Sequence, residues 1–130
     1  MNEKVEKIIF SELSFIITGI CYKIHNNLGR YRNEQQYCDA MEFLLKEKGI
    51  KYEREKILSH SFPGEQKRNI PDFIIENTII VDFKAKDFIT RDDYYQMKRY
   101  LVSLNYKLGI IYNFRQKILM PKRVLNSDIK

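Results

Sequence analysis

Apolar positions change their period several times along the chain, and each change predicts an element. From Ser11 to Leu28 they recur at helical steps, with Leu13, Ile16, Ile17, Ile20, Ile24 and Leu28 on one stripe, and Gly29 ends the run. Asn33 to Lys48 predicts a second helix. Asn33 is its N-cap, Glu34 lies in its first turn, Tyr37, Met41, Leu44 and Leu45 form its stripe, and Gly49 closes it. Ile50 to Phe62 alternates irregularly and carries many charges, which predicts a long outer strand. A turn follows at Pro63-Gly64-Glu65-Gln66, and strand residues resume around Lys67. Two short apolar runs, Phe73 to Ile75 and Ile79 to Val81, then flank a polar break at Glu76-Asn77. They predict paired strands joined by a tight turn, and their unbroken apolar character predicts that both faces are covered. Thr90 caps a third helix, with Asp92 and Asp93 in its first turn and Tyr94, Met97, Tyr100, Leu101 and Leu104 on its stripe. Tyr106 to Phe114 reads as a further buried strand. Gln116 to Val124 reads as another, at an edge because of Pro121, and Asn126 to Lys130 as a polar tail. The order α-α-β-β-β-α-β-β predicts an α/β layered fold in a single domain over residues 1–130.

Three charged residues interrupt the central strands: Asp72, Asp82 and Lys84. A charge beside a buried sheet is costly unless it is paired or holds a metal. Asn77 lies midway between Asp72 and Asp82, so a three-residue loop centred on it sets the two carboxylates opposite each other. Lys84 then joins the same face two positions on. A two-residue Glu76-Asn77 turn would instead send the two aspartates to opposite faces.

Composition narrows the function classes. With 44% hydrophobic and 31% charged residues the chain is globular, and no apolar run approaches the length of a membrane span. The first residues lack a signal-peptide pattern, which implies a cytoplasmic location and no membrane partner. A net charge of +6 suits a polyanionic partner. Cys21 and Cys38 are not spaced as metal ligands and read as buried thiols. His25 and His60 have no ligand-spaced neighbours, which argues against zinc.

Pro71-Asp72 followed by Asp82-Phe83-Lys84 resembles the signature of the PD-(D/E)XK nuclease superfamily. The likeness widens to its GxxExxY family through Ile24-His25-Asn26-Asn27-Leu28-Gly29, Glu34-Gln35-Gln36-Tyr37, Asp82-Phe83-Lys84-Ala85, Gln96 with Tyr100-Leu101, and Leu108 to Phe114. Two departures stand out: Tyr31 occupies the position of the glycine that names the family, and Asp82 stands where Glu is usual. The resemblance implies a restriction-endonuclease-like core, a central mixed β-sheet flanked by helices, and metal-dependent phosphodiester hydrolysis, with DNA as the nucleic-acid partner. It implies that Asp72, Asp82 and the Phe83 carbonyl, with waters, hold Mg²⁺ or Mn²⁺, hard ions suited to oxygen ligands, and that Glu34 completes the metal shell or positions a metal-bound water. Lys84 would orient water or stabilise the transition state. Gln96 and Tyr100, four apart on one helix face, would lie beside the site. Small nucleases of this type often pair to cut two strands, which allows a homodimer.

The competing reading is a catalytically inactive nuclease-fold module that binds nucleic acid or a protein partner. Basic charge and nine tyrosines fit either reading. The Asp72, Asp82 and Lys84 set favours catalysis, because two carboxylates would repel phosphate in a site built only to bind it.

Overall fold

The computed structural model describes residues 3–55, 63–64 and 70–126, with side chains from Phe10 onward. Its elements run α1 (Glu3–Leu28), α2 (Glu34–Lys48), β1 (Tyr52–Arg54), β2 (Phe73–Ile75), β3 (Ile79–Lys84), α3 (Arg91–Leu104), β4 (Leu108–Asn113) and β5 (Lys122–Leu125). The five strands form one sheet in sequential order. Only the β3–β4 pair is parallel, and α3 makes the crossover between them; the other neighbours are antiparallel. The sheet is therefore mixed, and helices cover it on both sides.

Local chemistry accounts for most boundaries. Asn33 accepts from the Gln36 N–H while the Gln36 side chain accepts from the Asn33 N–H, a closed capping box. Thr90 and Asp93 form the same device at the start of α3. Gly49 and Asn105 end their helices in the left-handed conformation. Four boundaries differ from the sequence expectation. Helix α1 begins at Glu3 rather than near Ser11, because the residues before Ser11 contain no glycine or proline to stop it. Strand β1 is short: Glu55 turns to a φ of 55° and leaves the extended path. The remainder of that expected strand at 56–62, turn residues Glu65 and Gln66, and the strand start at Lys67 lie outside the described residues. Strand β5 starts only after Pro121, since the Gln116 N–H bonds the Asn113 carbonyl in a turn. Asn126 is buried rather than part of a free tail, and it bonds the backbone of Lys107 and Tyr106.

Alternation across β2, β3 and β4 divides the core in two. Phe73, Ile75, Ile79, Val81, Phe83, Leu108, Ile110 and Tyr112 pack against α1 and α2. Ile74, Ile80 and Ile111 pack against Met97, Tyr100 and Leu101 of α3. Each fully buried side chain of this size contributes about 1.5–3 kcal/mol relative to exposure. Gly109 permits the close approach of α3: a Cβ there would sit 2.3 Å from the Met97 sulfur. Among the described residues no helix is long and apolar enough to cross a membrane.

Candidate active site

The β2–β3 turn sets the site. Ile74 pairs with Ile80 and Phe73 with Val81, so the loop is the three residues Glu76-Asn77-Thr78, centred on Asn77. Both Glu76 and Asn77 adopt positive φ, 54° and 51°. Asparagine tolerates this conformation, and Glu76 is held in it by Lys51, the residue before β1: its N–H donates to the Lys51 carbonyl at 2.9 Å and its carboxylate accepts from the Lys51 N–H at 2.8 Å. The register carries Asp72 opposite Asp82. Both aspartates and Lys84 share the parity of Ile74 and Ile80, which puts them on the α3 side of the sheet.

The side chains converge there. Asp72 Oδ2 accepts the Phe83 N–H at 2.6 Å, and the Asp72 carboxyl is also within hydrogen-bonding reach of Asp82. Asp82 is buried in the sheet. Lys84 Nζ lies 2.8 Å from Asp82 Oδ2, donates to Gln96 Oε1 at 2.9 Å, and stands 3.9 Å from Asp93 Oδ1. Gln96 thus touches the site directly. Tyr100, four residues on, is buried and donates to the Ile70 carbonyl at 3.1 Å, tying the segment that leads into Asp72 to α3. Glu34 comes from α2, on the other side of the sheet. It is exposed, and its carboxylate accepts from the Ala85 N–H just beyond the end of β3, close enough to feel Lys84 and Asp82.

Electrostatics follow from this crowding. Burial and then the neighbouring Asp82 carboxylate push the Asp72 carboxyl up to about 8; Glu34 adds to the effect and the Phe83 N–H opposes it. Glu34 is exposed as a residue, but partial desolvation of its carboxyl against Ala85 raises it, with Lys84 pulling the other way. Burial works against the Lys84 ammonium, but Asp82, Asp93 and Glu34 outweigh it, so its pKa is raised and it stays charged. Burial raises the Tyr100 phenol, which therefore stays protonated.

Two further residues complete the arrangement, and sequence reasoning assigned neither to the site. Asp93, the N3 residue of the α3 capping box, also pairs with Lys86 at 2.5 Å and faces Lys84. A Thr-x-x-Asp box just after the signature strand was the available signal. Asn113 is almost fully buried; it accepts from the N–H of Lys86 and of Arg115 and donates to the Lys86 carbonyl, clamping the ends of β3 and β4 together. No local pattern marks it.

Among the described residues no three His, Cys, Asp or Glu side chains are gathered around a single ion position. The structure brings Asp72 and Asp82 together, while Glu34 is engaged at Ala85. Two hard carboxylates in mutual contact, one of them uncomfortable as an anion, fit an ion such as Mg²⁺, which keeps several of its own waters and needs few protein ligands. A family model described as the PD-(D/E)XK nuclease superfamily matches residues 11–124. Neither the curated proteins nor the solved structures contain a significant match.

Proposed function

Because the chain belongs to the PD-(D/E)XK nuclease superfamily, we propose that it is a nuclease of the GxxExxY type that hydrolyses phosphodiester bonds in DNA with Mg²⁺ or Mn²⁺. The observation that carries this reading is the opposed Asp72–Asp82 pair with Lys84 bonded beside it on one sheet face. Asp72 and Asp82 are the side chains that would hold the ion, with the Phe83 carbonyl as a further ligand. A bound divalent ion supplies Lewis acidity toward the scissile phosphate and lowers the pKa of an attacking water.

The chain's own groups do the rest. Lys84 places a fixed positive charge where the phosphate oxygens gain charge, and Gln96 fixes its direction through the 2.9 Å bond. Glu34, at the rim, orients a water near Lys84. Tyr100 is a positioning residue that holds the Ile70 backbone and through it Asp72. The buried free thiols of Cys21 and Cys38 are in keeping with a cytoplasmic protein. A homodimer would bring two such sites to the two strands of a duplex.

Cleavage of labelled single-stranded, duplex and branched DNA with Mg²⁺, Mn²⁺ or EDTA tests the reading. Wild-type protein should cleave only with metal. Asp82→Asn, which keeps shape but loses the ligand charge, should bind DNA and not cut it. Wild-type protein that binds DNA and cuts none of these substrates would leave the inactive binding module as the better reading.

A further inference from the structure

We infer that Tyr31, an exposed ring with the guanidinium groups of Arg30 and Arg115 near it, is a stacking platform for an unpaired base of the DNA strand that enters the site. This rests on the nuclease reading above and names how that site would take its substrate.

Tyr31 is 76% exposed, an aromatic ring held out in solvent. The guanidinium carbons of Arg30 and Arg115 lie 5.3 Å and 5.7 Å from its centroid. An exposed cation–π contact contributes only about 0.5–1 kcal/mol, so two of them orient the ring without covering it. The loop beneath is anchored. Tyr37, buried and stacked on Phe114 at 4.2 Å, donates to the Gly29 carbonyl at 2.7 Å and accepts from the Arg32 N–H at 3.1 Å. Arg115 Nε donates to the Arg30 carbonyl at 3.0 Å. The Tyr31 loop is thereby fixed at both ends to the core through Tyr37, and between them, at Arg30, to the turn after β4.

The ring borders an open cleft of about 520 Å³, lined also by Glu34, Ala85 and Arg115. That volume suits a small organic group such as a nucleotide. Glu34 is bonded to Ala85, the residue after Lys84, so the cleft borders the end of β3 that carries the candidate site. The acids at its rim are Glu34 and Asp87; Asp87 is loosely paired with Arg115 at 3.8 Å. An arginine near an aromatic ring keeps N–H donors for phosphate oxygens, whereas the exposed part of the ring offers its face to a base. A paired base inside a duplex is stacked on both faces and has none to offer. The occupant is therefore an unpaired nucleotide, as in a single strand, a frayed end or a branch.

The test measures binding in EDTA by fluorescence anisotropy, using full-length protein carrying Asp82→Asn and short labelled single-stranded or blunt duplex DNA. Adding Tyr31→Ala should weaken single-strand binding by about 5- to 100-fold, the range for loss of one base–aromatic stack. Tyr31→Phe should restore it to within about twofold, and duplex binding should change far less. Tyr31→Ala should leave the salt slope of binding unchanged, whereas Arg115→Gln should reduce it by about one phosphate contact. Unchanged single-strand binding in Tyr31→Ala, or equal loss for both DNA forms, overturns the inference, as does a parent that binds neither form. Metal-dependent cleavage by the protein without substitutions, measured alongside, separates the two ideas. Cleavage with Tyr31-independent binding leaves the nuclease and removes the platform. Tyr31-dependent binding without cleavage keeps the platform and removes the nuclease.

Discussion

Replacing Asp72 by Asn should make the metal-free protein more stable, increasingly so as pH rises. In the fold the Asp72 carboxyl titrates at about 8 against an ordinary value of 3.8. Between those values the native state binds a proton that the unfolded chain has released, so this group withdraws stability as pH rises. Its favourable contribution is complete below about pH 4 and gone above about pH 8. A shift of this size corresponds to an upper bound of about 6 kcal/mol at about 1.4 kcal/mol per unit. Asp72 is only partly buried and shares its environment with Asp82, so the realised effect should be roughly half, about 3 kcal/mol. Asparagine keeps an oxygen that can accept the Phe83 N–H and removes only the ionisable proton. Urea unfolding of both proteins in EDTA, at unit steps from pH 4 to pH 9, gives the difference directly. The gap should widen toward pH 8 and then level. For a chain of this length 3 kcal/mol is a shift in Tm of about 10 °C. Adding Mg²⁺ at pH 8 should stabilise the wild type and do much less for Asp72→Asn, because the ion binds the ionised pair. Parallel stability curves for the two proteins, or a gap that closes as pH rises, would refute the electrostatic account of the site.

Lys84→Ala should keep metal-dependent stabilisation, read as a Tm shift with Mg²⁺, and lose about 10²–10³ in cleavage rate. Gly109→Ala should cost about 1–3 kcal/mol in urea unfolding, since the new Cβ forces the buried Met97 side chain to move. It should also slow cleavage, because Gln96 rides on the same helix. Asn113→Ala should cost about 1–2 kcal/mol by removing the side-chain partner of the half-buried backbone groups at Lys86 and Arg115, measurable by the same unfolding assay.

Much of the site was legible because it lies on one hairpin. Strand alternation is a local fact, and it puts Asp72, Asp82 and Lys84 on one face once the turn is centred on Asn77, the one of two possible turns that the register selects. The caps at Asn33 and Thr90 were legible for the same reason: each is satisfied within four residues. The reach of Gln96 to Lys84 was half legible. The helix face follows from spacing, but the crossover of α3 onto that side of the sheet does not.

The sequence alone thus determined the order of elements, the sheet's buried centre and the helix caps, because each depends on periodicity or on turns a few residues long; it offered the pairing of the two aspartates as one of two turn geometries, and the strand register chose between them. Only the tertiary structure decided that Glu34 meets Ala85 from the opposite layer, that Asp93 serves both a helix cap and Lys84, and that Asn113 clamps two strand ends. It alone brought Arg115 to Tyr31 across most of the chain's length. Those contacts join residues far apart in sequence. They exist because two apolar sheet faces must both be covered, and covering them draws distant helices and loops to the same end of the sheet.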